Sequence, residues 1–285
     1  MPKVLARGVR THYQQLGSGS DLVLLHGLGA NLAFWYLGVA PLLATDHRVT
    51  AYDLRGHGLS GRTPRGYTTG ELAADLMAIM DRLDIEHAAV IGHSYGAAIA
   101  LHAAVLHPGR IDRVVAADAY LPCFEPRIDA WRDARARWTR RNLRRRGLHV
   151  PPNLPKVAYG MLDELGRAPG RSVDDGVGAL AWTSLERSAD RWQRLRNETR
   201  IVPELYDASL SAKLLRRTQA SVLATYGTRS TLSSASVRGL RSALPALDVV
   251  VMPDAGHLHP LVQPKQFVDK VQPFLGPIQT TEVTR

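Results

Sequence analysis

Short apolar runs punctuate the first half and the last quarter of the chain, each closed by a turn or a polar residue. "DLVLLHG" (Asp21–Gly27), "HRVTAYD" (His47–Asp53), "HAAVIGHS" (His87–Ser94), "IDRVVAADAY" (Ile111–Tyr120), "ASVLATYG" (Ala220–Gly227) and "LDVVVMPDAGH" (Leu247–His257) all have this form. Near-continuous hydrophobic runs of this length predict strands buried on both faces. Between the early runs the spacing changes to the helical period. In "TTGELAADLMAIMDRLD", Leu72, Leu76, Ile79, Met80 and Leu83 fall on one helix face. Buried strands alternating with helices predict an α/β chain, with a mostly parallel central sheet and helices on both faces.

From Leu121 to Ala212 that rhythm stops. Trp131, Arg135 and Trp138 share one helical stripe, and Trp182, Leu185, Ala189 and Trp192 share another, with the proline-rich "VPPNLP" between them. This predicts a helical cap over residues 120–212, inserted into a core made of residues 1–119 and 213–285. The insertion starts just past the end of a strand-like run. Ligand sites of open α/β sheets lie at that edge, so the cap is expected to cover the site.

Bulk properties narrow the field without naming a function. A hydrophobic share of 45% and a charged share of 22% exclude global disorder. "MPKVLARGVRTHYQQLG" lacks the apolar core of a secretory signal, and no run approaches the roughly 18 apolar residues of a membrane span. Cys123 is the only cysteine, which excludes an intrachain disulfide and suits a reducing compartment. A cytoplasmic protein is expected. The dispersed His residues give no zinc-ligand spacing, so neither a metal nor an organic cofactor is expected.

Charge is more informative. The net +10 is uneven: residues 120–218 hold 20 Lys/Arg against 12 Asp/Glu, and the rest hold 16 against 14. The run "RDARARWTRRNLRRRG" (Arg132–Gly147) lies in that segment and closes on the Arg140–Arg146 cluster. Such a field would suit an acidic partner, for instance a carrier protein; the competing reading is a solvated helix face. Neither nucleic acid nor a membrane span is expected.

The chemistry lies at "GHSYG", Gly92–Gly96, between a strand-like run and the helical "YGAAIALHAAVLHP". G-x-S-x-G in that setting is a strand–turn–helix bend that lifts the serine hydroxyl above the sheet. Ser94 is then the candidate nucleophile, and the backbone N–H of Tyr95 at the helix start can hold an oxyanion.

With these residues in place, the sequence resembles the α/β-hydrolase superfamily, in particular its capped esterase, epoxide hydrolase and dehalogenase branch. "LLHGLGAN" (Leu24–Asn31) looks like the family's oxyanion turn, which implies that the Leu28 N–H completes the oxyanion hole and that His26 packs to orient it. "YDLRGHGLSG" (Tyr52–Gly61) looks like the loop that braces the site, so Asp53, Arg55 and His57 are read as structural. "PDAGHLHP" follows the last strand as the family's catalytic histidine does, making His257 the candidate base and His259 a wall or surface residue. His93 and the remaining histidines are read as packing or polar surface.

The family usually places its acid after the seventh strand. That position is Ser230 here, and no Asp or Glu occurs from Ser209 to Leu247. Some dehalogenases and zearalenone-type lactone hydrolases place the acid at the end of the preceding strand, a pattern that "VVAADAYLP" resembles. Asp118 is therefore the candidate acid, with Asp254 and Glu125 as rivals. A serine nucleophile points to acyl transfer: an ester, a lactone or a thioester, or C–C cleavage of a diketone. Trp131, Trp138, Trp182 and Trp192, if turned inward, would give an aromatic pocket for a bulky hydrophobic, polyketide-like substrate. A lyase or cyclase using the same pocket, and a catalytically silent ligand-binding protein, are the alternatives.

Overall fold

The computed structural model describes residues 1–124, 141, 191–207, 209–230, 233–244 and 246–276. Among them, β1 (Lys3–Ala6), β2 (Val9–Leu16), β3 (Ser20–Leu25), β4 (His47–Tyr52), β5 (Ala88–His93), β6 (Ile111–Ala117), β7 (Ser221–Gly227) and β8 (Asp248–Met252) form one sheet. The strand order is β1-β2-β4-β3-β5-β6-β7-β8. β2 runs antiparallel to both its neighbours, and β3 to β8 are parallel.

The six apolar runs correspond to β3–β8. The β1–β2 hairpin is an addition that the hydrophobic pattern did not announce. Its turn is Arg7–Gly8, with φ of 47° and 76°. Positive φ at both central residues matches the right-handed twist of a hairpin, but arginine at the first position gives no compositional turn signal.

The alternation of side chains along the parallel strands divides two cores. Val23, Leu25, Val90, Val114, Ala116, Val222 and Ala224 face one side, packed by α3 (Thr69–Arg82) and α4 (Tyr95–Leu106). Leu22, Leu24, Ile91, Val115, Ala117 and Leu223 face the other, packed by α1 (Ala33–Tyr36), α2 (Val39–Leu43) and a C-terminal helix, Pro264–Leu275. α3 buries Leu72, Leu76, Ile79 and Met80, and the Thr68 hydroxyl caps its start by accepting from the Glu71 N–H. Such a cap stabilises the helix by about 1 kcal/mol. α4 has no polar face: every residue from Tyr95 to Val105 is buried. A helix apolar all round belongs under other structure, and α4 is the helix that carries the nucleophile turn.

Between β6 and β7 the described residues are helical at 191–198, in α5 (Ile201–Glu204) and in α6 (Ala212–Leu215). This returning segment is tied to the loop after β4. Glu204 Oε2 accepts from the N–H groups of Gly66 (2.9 Å) and Tyr67 (2.7 Å), and the Arg200 N–H donates to Pro64 O at 2.8 Å. Residues 125–140, 142–190 and 208 of the expected cap, including Trp131, Trp138, Trp182, Glu125 and all of the Arg140–Arg146 cluster except Arg141, lie outside the described residues. α7 (Ser233–Ala243), α8 (His259–Val262) and α9, the C-terminal helix above, complete the fold. Among the described residues no helix is long and apolar enough to cross a membrane.

Candidate active site

The C-terminal ends of β3 to β8 share one edge of the sheet, and Leu28, Ser94, Tyr95, Asp118 and His257 all follow strands of that set. Ser94 occupies the bend between β5 and α4 with φ 54° and ψ −114°, a conformation L residues rarely hold. Strain of this kind is worth about 1–3 kcal/mol and persists only where the surroundings enforce it. Here they do. A Cβ on Gly92 would lie 2.3 Å from Gly96 O, and one on Gly96 would lie 2.4 Å from Leu25 O, so only glycine lets β5, α4 and β3 close on the turn. The Ser94 N–H donates to Ala117 O at 2.9 Å, and its carbonyl accepts from Tyr120 N–H at 3.1 Å, pinning the bend to the end of β6.

The turn after β3 lies against the same serine. A Cβ on Gly27 would sit 3.1 Å from Ser94 Cβ. His26 shapes this turn: Nδ1–H donates to Gly27 O at 2.8 Å, while Nε2 accepts from the Leu54 N–H at 3.0 Å. Burial lowers the His26 pKa, keeping the neutral form that this donor–acceptor pattern requires. Leu28 follows in the turn, which the Ala30 N–H closes onto Gly27 O at 3.3 Å. Tyr95 is the first residue of α4, so its N–H has no acceptor within the helix.

His257 lies in the loop after β8. Its Nδ1–H donates to Asp118 Oδ2 at 2.5 Å. Asp118 ends β6 with φ 43°, is fully buried, and is fixed by its own N–H donating to Thr225 O at 2.7 Å. The Ser230 hydroxyl donates to the same Oδ2 at 2.5 Å. The position after β7 and the position after β6 therefore meet at one carboxylate oxygen.

This arrangement stands on a sheet whose sequence, over residues 22–264, matches the alpha/beta hydrolase fold family. The chain belongs to that family. It is 30% identical, over 92% of its length and 98% of the relative's, to pimeloyl-[acyl-carrier protein] methyl ester esterase of Aeromonas hydrophila. It is 35% identical to 2-hydroxymuconate semialdehyde hydrolase of a Pseudomonas species, a match spanning 40% of this chain and 41% of that protein. Among solved structures it is similar to the N-acyl homoserine lactone degrading enzyme Est816, with a TM-score of 0.73, 23% identity and coverage of 96% of this chain and 100% of that one.

In this α/β hydrolase the loop after β4 is a brace. Asp53 accepts from the N–H groups of Leu32 and Leu59, each at 2.8 Å, and from His12 Nδ1 at 2.7 Å. Arg55 grips Asp75 in a fork of 2.6 and 2.8 Å. His57 is buried, donates from Nδ1 to Arg55 O at 2.9 Å, and has its pKa pushed down to about 3 by burial and by His26. It lines a narrow cleft with Gly29, Asn31, Trp192 and Leu195. Trp192, half-buried, is thus the one expected pocket tryptophan among the described residues, its ring 6.2 Å from that of His57.

The structure separates the other candidates. Asp254 is exposed in a turn with φ 50°, its carbonyl accepting from Arg229, while the Nδ1 of His257 is taken by Asp118. His259 is a buried wall residue and not a surface one: Nε2 accepts from Thr225 Oγ1 at 2.9 Å and Nδ1–H donates to Gly256 O at 3.2 Å. Burial pushes its pKa down to about 4. Two contacts had no signal in the sequence. One is the Ser230–Asp118 bond; the other is a bond from His93 Nε2–H to His257 O at 2.8 Å.

Proposed function

We propose that this α/β hydrolase is a serine enzyme acting through an acyl-enzyme on an ester, lactone or thioester of a bulky hydrophobic substrate. Ser94 Oγ attacks the carbonyl carbon as His257 Nε2 takes its proton. Asp118 holds the imidazole in the tautomer with Nδ1–H and stabilises the imidazolium that forms. The backbone N–H groups of Leu28 and Tyr95 receive the charge that develops on the carbonyl oxygen. His257 then protonates the leaving oxygen or sulfur, and a water activated by the same imidazole releases the acid and restores Ser94.

The observation that carries this reading is the pairing of His257 Nδ1 with the buried Asp118 carboxylate at 2.5 Å, beside a serine held in a strained turn. The apolar character of the substrate is supported by Trp192 and Leu195, which line a cleft with Gly29 and Asn31 of the turn after β3. A relative named for a methyl ester and a fold neighbour named for a lactone agree with acyl chemistry of this kind. We extend the reading to a carrier-borne substrate docking on the basic segment 120–218, in keeping with a relative whose name includes an acyl-carrier protein.

The test is direct. A fluorophosphonate should label Ser94, and Ser94→Ala should abolish turnover while leaving substrate affinity within about twofold, because the hydroxyl acts in the chemical step. Hydrolysis in ¹⁸O-labelled water should place one label in the product acid. Substantial turnover by Ser94→Ala would sink the acyl-enzyme. Unlabelled product would move the reaction to a lyase or cyclase.

A further inference from the structure

His93 immediately precedes the nucleophile, and its ring touches both other parts of the site. One face stacks on Phe34 of α1, with ring centroids 4.4 Å apart and planes at 24°. Nδ1 faces the turn after β3, where a Cβ on Gly27 would lie 3.1 Å away. Nε2–H donates to the backbone carbonyl of His257 at 2.8 Å, and the two imidazoles are 4.6 Å apart. His93 is buried, at 3% exposure.

The consequence is mechanical. His257 lies on a loop beyond β8, next to the outermost parallel strand, whereas Ser94 follows the central β5. A loop histidine held only through its ring could shift with its backbone. Asp118 fixes Nδ1, and His93 fixes the carbonyl of the same residue. Two anchors, one on the ring and one on the backbone, leave Nε2 little freedom. A misplacement near 1 Å at a reacting group can lower rates by about 10²-fold.

We propose that His93 is a positioning residue that ties the base loop to the nucleophile turn, setting where His257 Nε2 stands relative to Ser94. This rests on the roles proposed above for those two residues. The tie works in the neutral imidazole: a carbonyl only accepts, so the single proton sits on Nε2. Burial and the neighbouring His257 hold the His93 pKa well below its ordinary value. No second positive charge then competes with the imidazolium formed in turnover.

The discriminating pair is His93→Gln and His93→Met. Both side chains are unbranched and of similar length, but only glutamine offers an N–H at the position of Nε2. With a p-nitrophenyl ester as probe, His93→Met should lower kcat about 30- to 100-fold with KM within about threefold. His93→Gln should recover at least about tenfold of that loss. In the Ser94→Ala background, the low-field proton resonance of the His257–Asp118 bond should broaden with Met and sharpen again with Gln. That second readout needs no turnover, so it stands whether or not Ser94 is the nucleophile. Equal kcat for the Met and Gln variants, or a resonance indifferent to both, would reduce His93 to a packing residue and overturn the proposal.

Discussion

Two aspartate–histidine pairs stand at this sheet edge, and they differ in how far the histidine is enclosed. Asp118 follows β6 and pairs with His257 at 2.5 Å; Asp53 follows β4 and pairs with His12 at 2.7 Å. Asp53 is saturated, with two backbone N–H groups on separate oxygens besides the histidine. The side chain of its partner is only 6% exposed, and His12 Nε2 is enclosed among the described residues. Asp118 instead concentrates His257 and Ser230 on one oxygen, and the His257 side chain is 30% exposed. The pair itself is therefore no mark of chemistry. What matters is whether the other ring nitrogen can reach a reacting atom. The His257 side chain stays partly exposed, and in the proposed mechanism its second nitrogen serves Ser94, whereas His12 seals its own into the core as part of the brace.

The largest expected effect separates the two pairs. Asp118→Asn should lower kcat by about 10²–10⁴, since an amide can hold the wrong tautomer and offers no charge to the imidazolium. Asp53→Asn should lower stability instead, by about 3 kcal/mol in chemical unfolding, because the amide nitrogen faces backbone donors. kcat of the folded Asp53→Asn fraction should stay within a few-fold. A stable but inactive Asp53→Asn would show that the brace takes part in the chemistry.

A transplant sharpens the comparison. Ser230 already reaches Oδ2 of Asp118, so Ser230→Asp in the Asp118→Asn background should restore turnover about tenfold, roughly 1.4 kcal/mol of barrier. No recovery would mean that only the end of β6 can address His257. Two carboxylates together, Ser230→Asp with Asp118 intact, should be neutral or harmful, because each raises the other's pKa.

Acidification probes the sealed histidines as a group. Burial lowers the pKa of His26, His57, His93 and His259, His57 to about 3 and His259 to about 4. The unfolded chain binds protons at these sites near pH 6.5 and the folded chain does not. Stability should therefore be full above pH 6.5 and fall as pH drops from there toward 4, by up to about 1.4 kcal/mol per unit for each group. Denaturant unfolding at pH 7, 6 and 5 checks this; a flat profile would show that these sites already accept protons while folded.

The smallest expected effect belongs to Ser230→Ala, a loss of about threefold to tenfold in kcat. The hydroxyl helps hold the Asp118 carboxylate, while the charge that serves His257 stays in place. A loss as large as that of Asp118→Asn would make the serine an equal partner in orienting the base.

Much of this was legible in the chain because the physics involved is local. β3 to β7 are strands largely buried on both faces, so their apolar runs stand out with no partner in view; the run of β8 reads the same way, but as the edge strand it leaves Val251 57% exposed. The strained turn at Ser94 demands glycine two residues to either side, and that spacing is printed in "GHSYG". The β1–β2 hairpin was not legible, since its turn uses arginine where a turn-forming residue would have signalled it. His93 and Ser230 were not legible either. Their bonds join residues 164 and 112 positions apart, and neither residue type announces such a partner.

The sequence by itself determined the parallel strands β3 to β8, where the strained serine sits, and that the position after β7 holds no carboxylate. Only the tertiary structure decided which acid meets the base. β6 and β7 are parallel neighbours, so their C-terminal ends bring Asp118 and Ser230 to the same point, and the loop after β8 delivers His257 to it. Asp254, three residues from His257 in sequence, is turned outward by its own backbone. Proximity along the chain is set by covalent geometry, whereas proximity at a sheet edge is set by strand order. Strand order emerges only when all the apolar runs are packed together.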